Sequence, residues 1–317
     1  MIQEHEITPD RCSKGKDIIT MREDIAFASD GATLRGWLYR PQGAAGLRPA
    51  IVMAHGFSAT KEMFLDDFAE VFAAAGFVVL VYDHRNLGAS SGEPRGEIDP
   101  IAQIRGYRDA ITWLATRDGI DPDRIGVWGS SYSGGHVMVL GATDSRVKCV
   151  VAQVPALDAY RTFTQAGREA LLAFRTQFNA DRAARYHGEA PAMIPVIPAE
   201  AGGIGALTTQ DSIDFFKVFE SRASNWRNSV TLRSIEYLTE YVPAFYLPRI
   251  APTPFMMVIA LKDSLIPSDM ALEAFATAGE PKKLLTLDCG HFAPYTGDTF
   301  RTVSAAECAW FSEHLRP

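Results

Sequence analysis

Ser131 occupies the apex of Gly129-Ser130-Ser131-Tyr132-Ser133-Gly134-Gly135, between the apolar run Ile125–Trp128 and a helix-forming stretch. The spacing is close to G-x-S-x-G, in which a serine on a sharp strand-to-helix turn projects its hydroxyl from the sheet. The residues two before and two after must be small for strand and helix to pass. Here the later of these is Ser133 in place of glycine, with Gly134 and Gly135 behind it. Ser131 is therefore the candidate nucleophile, and Ser130 and Ser133 read as tight-packing residues of the turn. The alternative is a glycine-rich helix start that holds an anion on its free N–H groups.

A serine hydroxyl needs a base, usually a histidine oriented by a carboxylate. After this kind of turn the chain order is serine, then acid, then histidine, each beyond a strand end. Asp263 follows the apolar run "PFMMVIAL", and His291 follows "KKLLTLD". Asp263 could instead close a turn and His291 could be an ordinary surface histidine. Agreement in both order and location favours catalysis. Asp269, Glu273 and Asp288 are rival acids in weaker positions, Asp269 being suited to the helix start it occupies. Acyl chemistry also needs donors aimed at the developing oxyanion. The backbone N–H of Tyr132 is one candidate, and that of Phe57, in the loop "AHGFSATKE", is the other. His55 reads as a structural bridge within that loop.

These residues must be positioned by a sheet. "DIAFAS" and "TLRGWLYR" flank the turn "DGA" and read as a hairpin. "PAIVMA" and "FVVLVYD" are unbroken apolar runs, as expected of strands covered on both faces. Between them Phe64, Phe68, Val71 and Phe72 fall at helical spacing, with Gly76 as the stop. A helix over about 99–117 places Ile101, Ile104, Ile111 and Leu114 on one side. The strands "RIGVW" and "VKCVVAQV" follow, with a helix over about 132–142 between them. The alternation predicts an α/β fold, a mainly parallel sheet with helices on both faces. It breaks over 157–250, which includes the irregular "APAMIPVIPAEAGGIGA", and resumes with 251–317. Residues 1–156 are then the first part of the core, 1–20 a surface extension, and 157–250 a helical cap insertion. Phe163, Phe174, Phe178, Phe215, Phe216, Phe219, Trp226 and Phe245 could line an acyl pocket or form the insertion's own core. Phe215 and Trp226 are the residues selected for substrate binding.

Composition excludes other classes. The net charge of −7, with scattered Lys and Arg, argues against a nucleic-acid partner. Cys12, Cys149, Cys289 and Cys308 form no CxxC pair, and none of the seven histidines lies in an HExxH arrangement. Free thiols in a reducing compartment are expected, without a metal or cofactor. "FAAAGFVVLVY" is too short to span a bilayer, and the N-terminus lacks an apolar signal core. The expectation is a cytoplasmic protein with no membrane partner. A homodimer is left open.

The motifs "HGF", "YDHRNLGASSGEP", "GSSYSGG", "ALKDSLIP" and "GHFAPY" together resemble the α/β-hydrolase superfamily. Among them, "YDHRNLGASSGEP" is similar to a loop of the cocaine esterase and X-prolyl peptidase branch, and the resemblance implies that Asp83 and Arg85 hold this loop. "NSVTLRSIEYLTEYVPAFYLPRIAPTPFMMVIALKDSLIP" is similar to the thiohydrolases and polyketide transferases, a dienelactone-hydrolase-like group. That likeness implies thioester cleavage or acyl transfer, and the X-prolyl branch keeps amide cleavage open. The leading expectation is a serine hydrolase acting on a small to medium ester or thioester. An acyltransferase to an alcohol or amine and a non-catalytic ligand receptor stand behind it. A halide-displacing enzyme would want aspartate at position 131.

Overall fold

The computed structural model describes residues 20–41, 43, 46–165, 167–200, 202–219 and 223–317. The expected N-terminal extension and Cys12 lie outside the described residues, apart from Thr20.

The chain opens with the hairpin β1 (Thr20–Ser29) and β2 (Ala32–Pro41). The alternating core then runs β3 (Arg48–Ala54), α1 (Leu65–Ala74), β4 (Val78–Tyr82), α2 (Pro100–Ala115), β5 (Ile120–Ser130), α3 (Tyr132–Thr143) and β6 (Val147–Gln153). Next come α4 (Ala159–Gln165), α5 (Arg168–Tyr186), β7 (Met193–Ile194), α6 (Gln210–Phe219), β8 (Val230–Thr231), α7 (Leu232–Glu240) and a 3₁₀ turn over Pro243–Arg249. The core resumes with β9 (Phe255–Ala260), α8 (Ser268–Ala276), β10 (Lys282–Leu287), a 3₁₀ turn over Ala293–Tyr295 and α9 (Gly297–Leu315).

Eight strands form one sheet in the order β1-β2-β4-β3-β5-β6-β9-β10. β1, β2 and β4 pair antiparallel, and every pairing from β4 to β10 is parallel. Alternation along the strands explains the two cores. Val52, Leu80, Val127 and Val150 face the layer that holds α2 and α3. Ile51, Val79, Trp128 and Val151 face the layer that holds α1 and α9. Side chains of successive strand residues point to opposite faces, so these runs must be apolar throughout.

Local signals set the helix ends. The Asp99 carboxylate accepts from the N–H groups of Ile101 (2.8 Å) and Ala102 (3.1 Å), with Pro100 at the first helical position. Ile104, Ile111 and Leu114 are buried as expected, but Ile101 is 52% exposed. The stripe that packs centres on Ile104, Tyr107 and Ile111, and Ile101 falls at its solvent edge.

The segment between β6 and β9 packs on the core through polar anchors. Ile98 N–H donates to Ser234 Oγ (2.8 Å), and Thr231 N–H donates to Gly96 O (3.2 Å). Arg233 pairs with Glu97. Phe216, Phe219 and Ile235 extend the same apolar cluster that contains Val52 and Val127.

Candidate active site

Register brings the strand ends to one edge. Ala54 pairs with Gly129, Ser130 with Gln153, Gln153 with Val258, and Ala260 with Leu287. The loops carrying Phe57, Ser131, Asp263 and His291 all leave from this edge, the carboxyl side of a parallel sheet.

Ser131 has φ 55° and ψ −115°, a conformation that costs a non-glycine residue about 1–3 kcal/mol. Its own backbone bonds oppose that cost. The N–H donates to Gln153 O (2.9 Å), and the carbonyl accepts from Ala156 (2.8 Å) and Gly135 (3.3 Å). At about 1 kcal/mol each, these bonds offset the strain. The crowding explains two glycines. A Cβ at Gly129 would lie 2.2 Å from the Ser133 carbonyl oxygen, and one at Gly56 would lie 2.9 Å from Ser131 Cβ.

The three candidates meet. His291 Nε2 lies 3.1 Å from Ser131 Oγ, and His291 Nδ1 lies 2.7 Å from Asp263 Oδ2. Asp263 Oδ1 accepts from the N–H groups of Leu265 and Ile266, both at 2.8 Å. The aspartate thus closes a turn with one oxygen and meets histidine with the other. Its only role toward an imidazole is as acceptor, so the His291 proton resides on Nδ1 and Nε2 is free to accept from serine. His291 is 1% exposed. The rival acids are engaged elsewhere: Asp288 with Lys262 (2.9 Å), Glu273 with Arg161 (2.9 Å) and Asp269 with Met270 N–H (2.8 Å).

Among the described residues, neither the Phe57 N–H nor the Tyr132 N–H donates to a protein acceptor. Both sit beside the serine, Tyr132 as the next residue and Phe57 on the loop that Gly56 lets approach. Their rings meet edge to face at 5.7 Å.

Ser133, where glycine is commonest, has a job of its own. Its hydroxyl donates to His55 O (2.6 Å) and so must accept from His84 Nε2–H (2.8 Å). His55 uses both ring nitrogens, Nδ1–H donating to Gly56 O (2.9 Å) and Nε2 accepting from His84 N–H (3.1 Å). It is a structural bridge, with no nitrogen left to act as a base. His136 accepts from Tyr241 OH (2.9 Å) and donates to Gln103 Oε1 (2.8 Å). Burial lowers the pKa of all three histidines. For His55 the nearby Asp83 opposes the shift, while His84 is pushed well down by burial and then by its histidine neighbours. His136 is pushed down to about 3. The cluster is neutral and supports the turn from beneath.

Asp83 holds the loop after β4, as the resemblance implied. Its carboxylate accepts from Lys61 N–H (2.8 Å), Lys61 Nζ (2.8 Å) and Ala89 N–H (2.9 Å). The arginine in this role is Arg95, which donates to the Ser90 and Gly88 carbonyls. Arg85 makes no hydrogen bond among the described residues, a correction to the sequence expectation.

A cavity of about 40 Å³ opens over the serine. Phe57, Ser131, Phe215, Phe216, His291 and Phe292 are on its wall. Phe215 therefore lies on the cavity wall. Trp226 is not on that wall. Its ring stacks on Phe216 at 5.4 Å and its Nε1–H donates to Ser58 O (2.9 Å), so it pins the 157–250 segment to the loop carrying Phe57. An indole's polar edge must find an acceptor when buried, and the loop carbonyl supplies it. Phe219 lies behind Phe215 and Phe216, Phe174 and Phe178 stack together at 5.9 Å, and Phe245 is 64% exposed. The side chain of Phe163 lies outside the described residues.

Two aromatic wall residues are missed by spacing alone. Phe292 stacks on Phe215 with centroids 4.3 Å apart. Tyr295 lines the cavity and donates its hydroxyl to Ser130 Oγ (2.6 Å). Both sit in "GHFAPY", where only their nearness to His291 could have pointed to them.

A mainly parallel sheet with a serine on its strand-to-helix turn, and an acid and histidine beyond later strands, defines the α/β-hydrolase class. The chain belongs to the X-Pro dipeptidyl-peptidase (S15) family, whose sequence pattern matches residues 30–292. It is 33% identical to the thiohydrolase aneE of Aspergillus aculeatus, over 96% of each chain. It is 34% identical to the polyketide transferase ATR5 of Stachybotrys chlorohalonatus, over 88% of this chain and 93% of that protein. The crystal structure of the α/β hydrolase GrgF from Penicillium sp. sh18 superposes with a TM-score of 0.81 at 30% identity, covering 93% of this chain and 99% of that one. Among the described residues, no group of His, Cys, Asp and Glu could hold a metal ion, and no helix is long and apolar enough to cross a membrane.

Proposed function

We propose that this protein is a serine hydrolase that cleaves a carboxylic ester or thioester of a small to medium acyl group through an acyl-enzyme on Ser131. The reading rests above all on the hydroxyl–imidazole–carboxylate relay of Ser131, His291 and Asp263, with contacts of 3.1 and 2.7 Å at the base of a cavity. His291 Nε2 takes the Ser131 proton as Oγ adds to the carbonyl carbon, and Asp263 stabilises the imidazolium. The N–H groups of Phe57 and Tyr132 take the oxyanion. Collapse expels the alcohol or thiol, protonated from His291. Water, deprotonated by the same nitrogen, then releases the acid. The 157–250 segment acts as a cap, a role supported by Phe215 and Phe216 on the cavity wall. A cytoplasmic setting goes with this reading and is supported by the free thiols of Cys149 and Cys289.

Acyl transfer to an alcohol or amine is the second reading, favoured by the transferase named among the relatives. Peptide cleavage of the kind named by the family has less support, because no Asp or Glu lines the cavity to receive a peptide's terminal ammonium. The test is a panel of p-nitrophenyl esters and acyl thioesters, assayed with and without alcohol acceptors. Ser131→Ala should lower turnover by about 10³-fold or more. Undiminished ester cleavage by Ser131→Ala would overturn the assignment. Product that partitions to the alcohol ahead of water would favour the transferase.

A further inference from the structure

We infer that the stacked pair Phe215–Phe292 limits the substrate to short, uncharged acyl groups, a refinement that rests on Ser131 being the nucleophile. The space over Ser131 is about 40 Å³. A water-sized group needs roughly 10–15 Å³ of such volume, so the space holds roughly three heavy atoms beyond the serine. That accommodates an acetyl group and little more before the wall must give. Apart from the serine, the histidines, the backbone and the Tyr295 hydroxyl, the wall is apolar. The Tyr295 hydroxyl is already committed to Ser130. No lysine or arginine is there to receive a carboxylate on the acyl group.

The far wall is a contact between two parts of the chain. Phe215 comes from α6 and Phe292 from the residue after His291, and their rings lie 4.3 Å apart with an interplanar angle of 23°. Phe215 is backed by Phe219 at 5.1 Å and Tyr295 at 5.3 Å, so it cannot retreat without displacing them. A longer chain must part the stack, and close-packed aromatic walls resist this. Removing the ring of Phe215 opens the cavity toward α6.

The test compares kcat/KM for p-nitrophenyl acetate, butyrate and octanoate in the native protein, Phe215→Ala and the gentler Phe215→Leu. In the native protein octanoate should fall about tenfold or more below butyrate, and the alanine variant should raise the octanoate-to-acetate ratio by about tenfold, the scale of a few methylenes in an apolar pocket. Labelling rates of Ser131 with ethyl and octyl fluorophosphonates give the same comparison without turnover. Labelling that is equal for the two reagents, or a ratio unmoved in both variants, would overturn the size limit and leave the nucleophile standing. Absence of labelling at Ser131 would instead remove the nucleophile, and the size limit with it.

Discussion

The hydroxyl of Tyr295 donates to Ser130 Oγ at 2.6 Å, joining the loop that carries His291 to the strand end that carries Ser131. Ser131 and His291 are thereby linked through neighbouring side chains as well as through their own contact. Gln153 Nε2 reaches the same Oγ at 3.1 Å, so the neighbour of Ser131 is held from two sides.

Tyr295→Phe keeps the ring on the cavity wall and removes the tie. Tyr295 is a positioning residue, so kcat should fall by about tenfold, with a smaller change in KM. Ser131 labelling by a fluorophosphonate should slow in parallel. Unchanged kcat and labelling would show that the hydroxyl only fills space.

Asp263→Asn retains the shape but not the fixed tautomer of His291. Turnover should drop by about 10³–10⁴-fold, as for an aspartate that orients a catalytic imidazole. Steady-state assays at neutral pH check this, and circular dichroism should show a native fold. An equal or faster rate would exclude Asp263 as the orienting acid.

Ser133→Ala removes a hydroxyl that accepts from His84 and donates to His55 O. Leaving buried polar groups unpaired should cost about 1–3 kcal/mol, read as a lower midpoint in urea unfolding.

Glu307, on α9, is fully buried and meets Trp128 Nε1–H at 2.9 Å. Burial pushes its carboxyl up to about 8, the Trp128 bond opposing the shift. Because the folded-state pKa lies above that of the unfolded chain, the group's contribution is complete below the ordinary glutamate range. It is lost as pH rises toward 8. Glu307→Gln cannot ionise. Its melting temperature relative to the native protein should therefore rise by several degrees between pH 5 and pH 8. A constant difference would contradict the shift.

Trp226→Phe removes the bond to Ser58 O while keeping an aromatic ring against Phe216. The expected loss is about 1 kcal/mol, seen as a lower melting temperature.

Much of the site was legible because its parts obey local rules. Ser131 was visible from the small residues around it, and Asp263 and His291 from falling just beyond apolar runs. Apolar periodicity carried the core strands and α1 to α3, except at Ile101, where helical spacing alone could not tell the stripe's edge from its centre. Less was readable between β6 and β9. An aromatic there can pack inward, face substrate or pin a loop. Phe215, Phe245 and Trp226 turned out to occupy three different environments.

The sequence by itself determined the alternating strands and helices, the strained turn at Ser131 and the order of the three candidate side chains. These follow from steric demands and hydrophobic spacing within short stretches. Only the tertiary structure decided that Arg95 rather than Arg85 braces the loop after β4, that Ser133 bridges two histidines, and that Phe292 closes the cavity against Phe215. Each of these depends on side chains far apart in sequence meeting at ångström distances, and no local pattern encodes such a meeting.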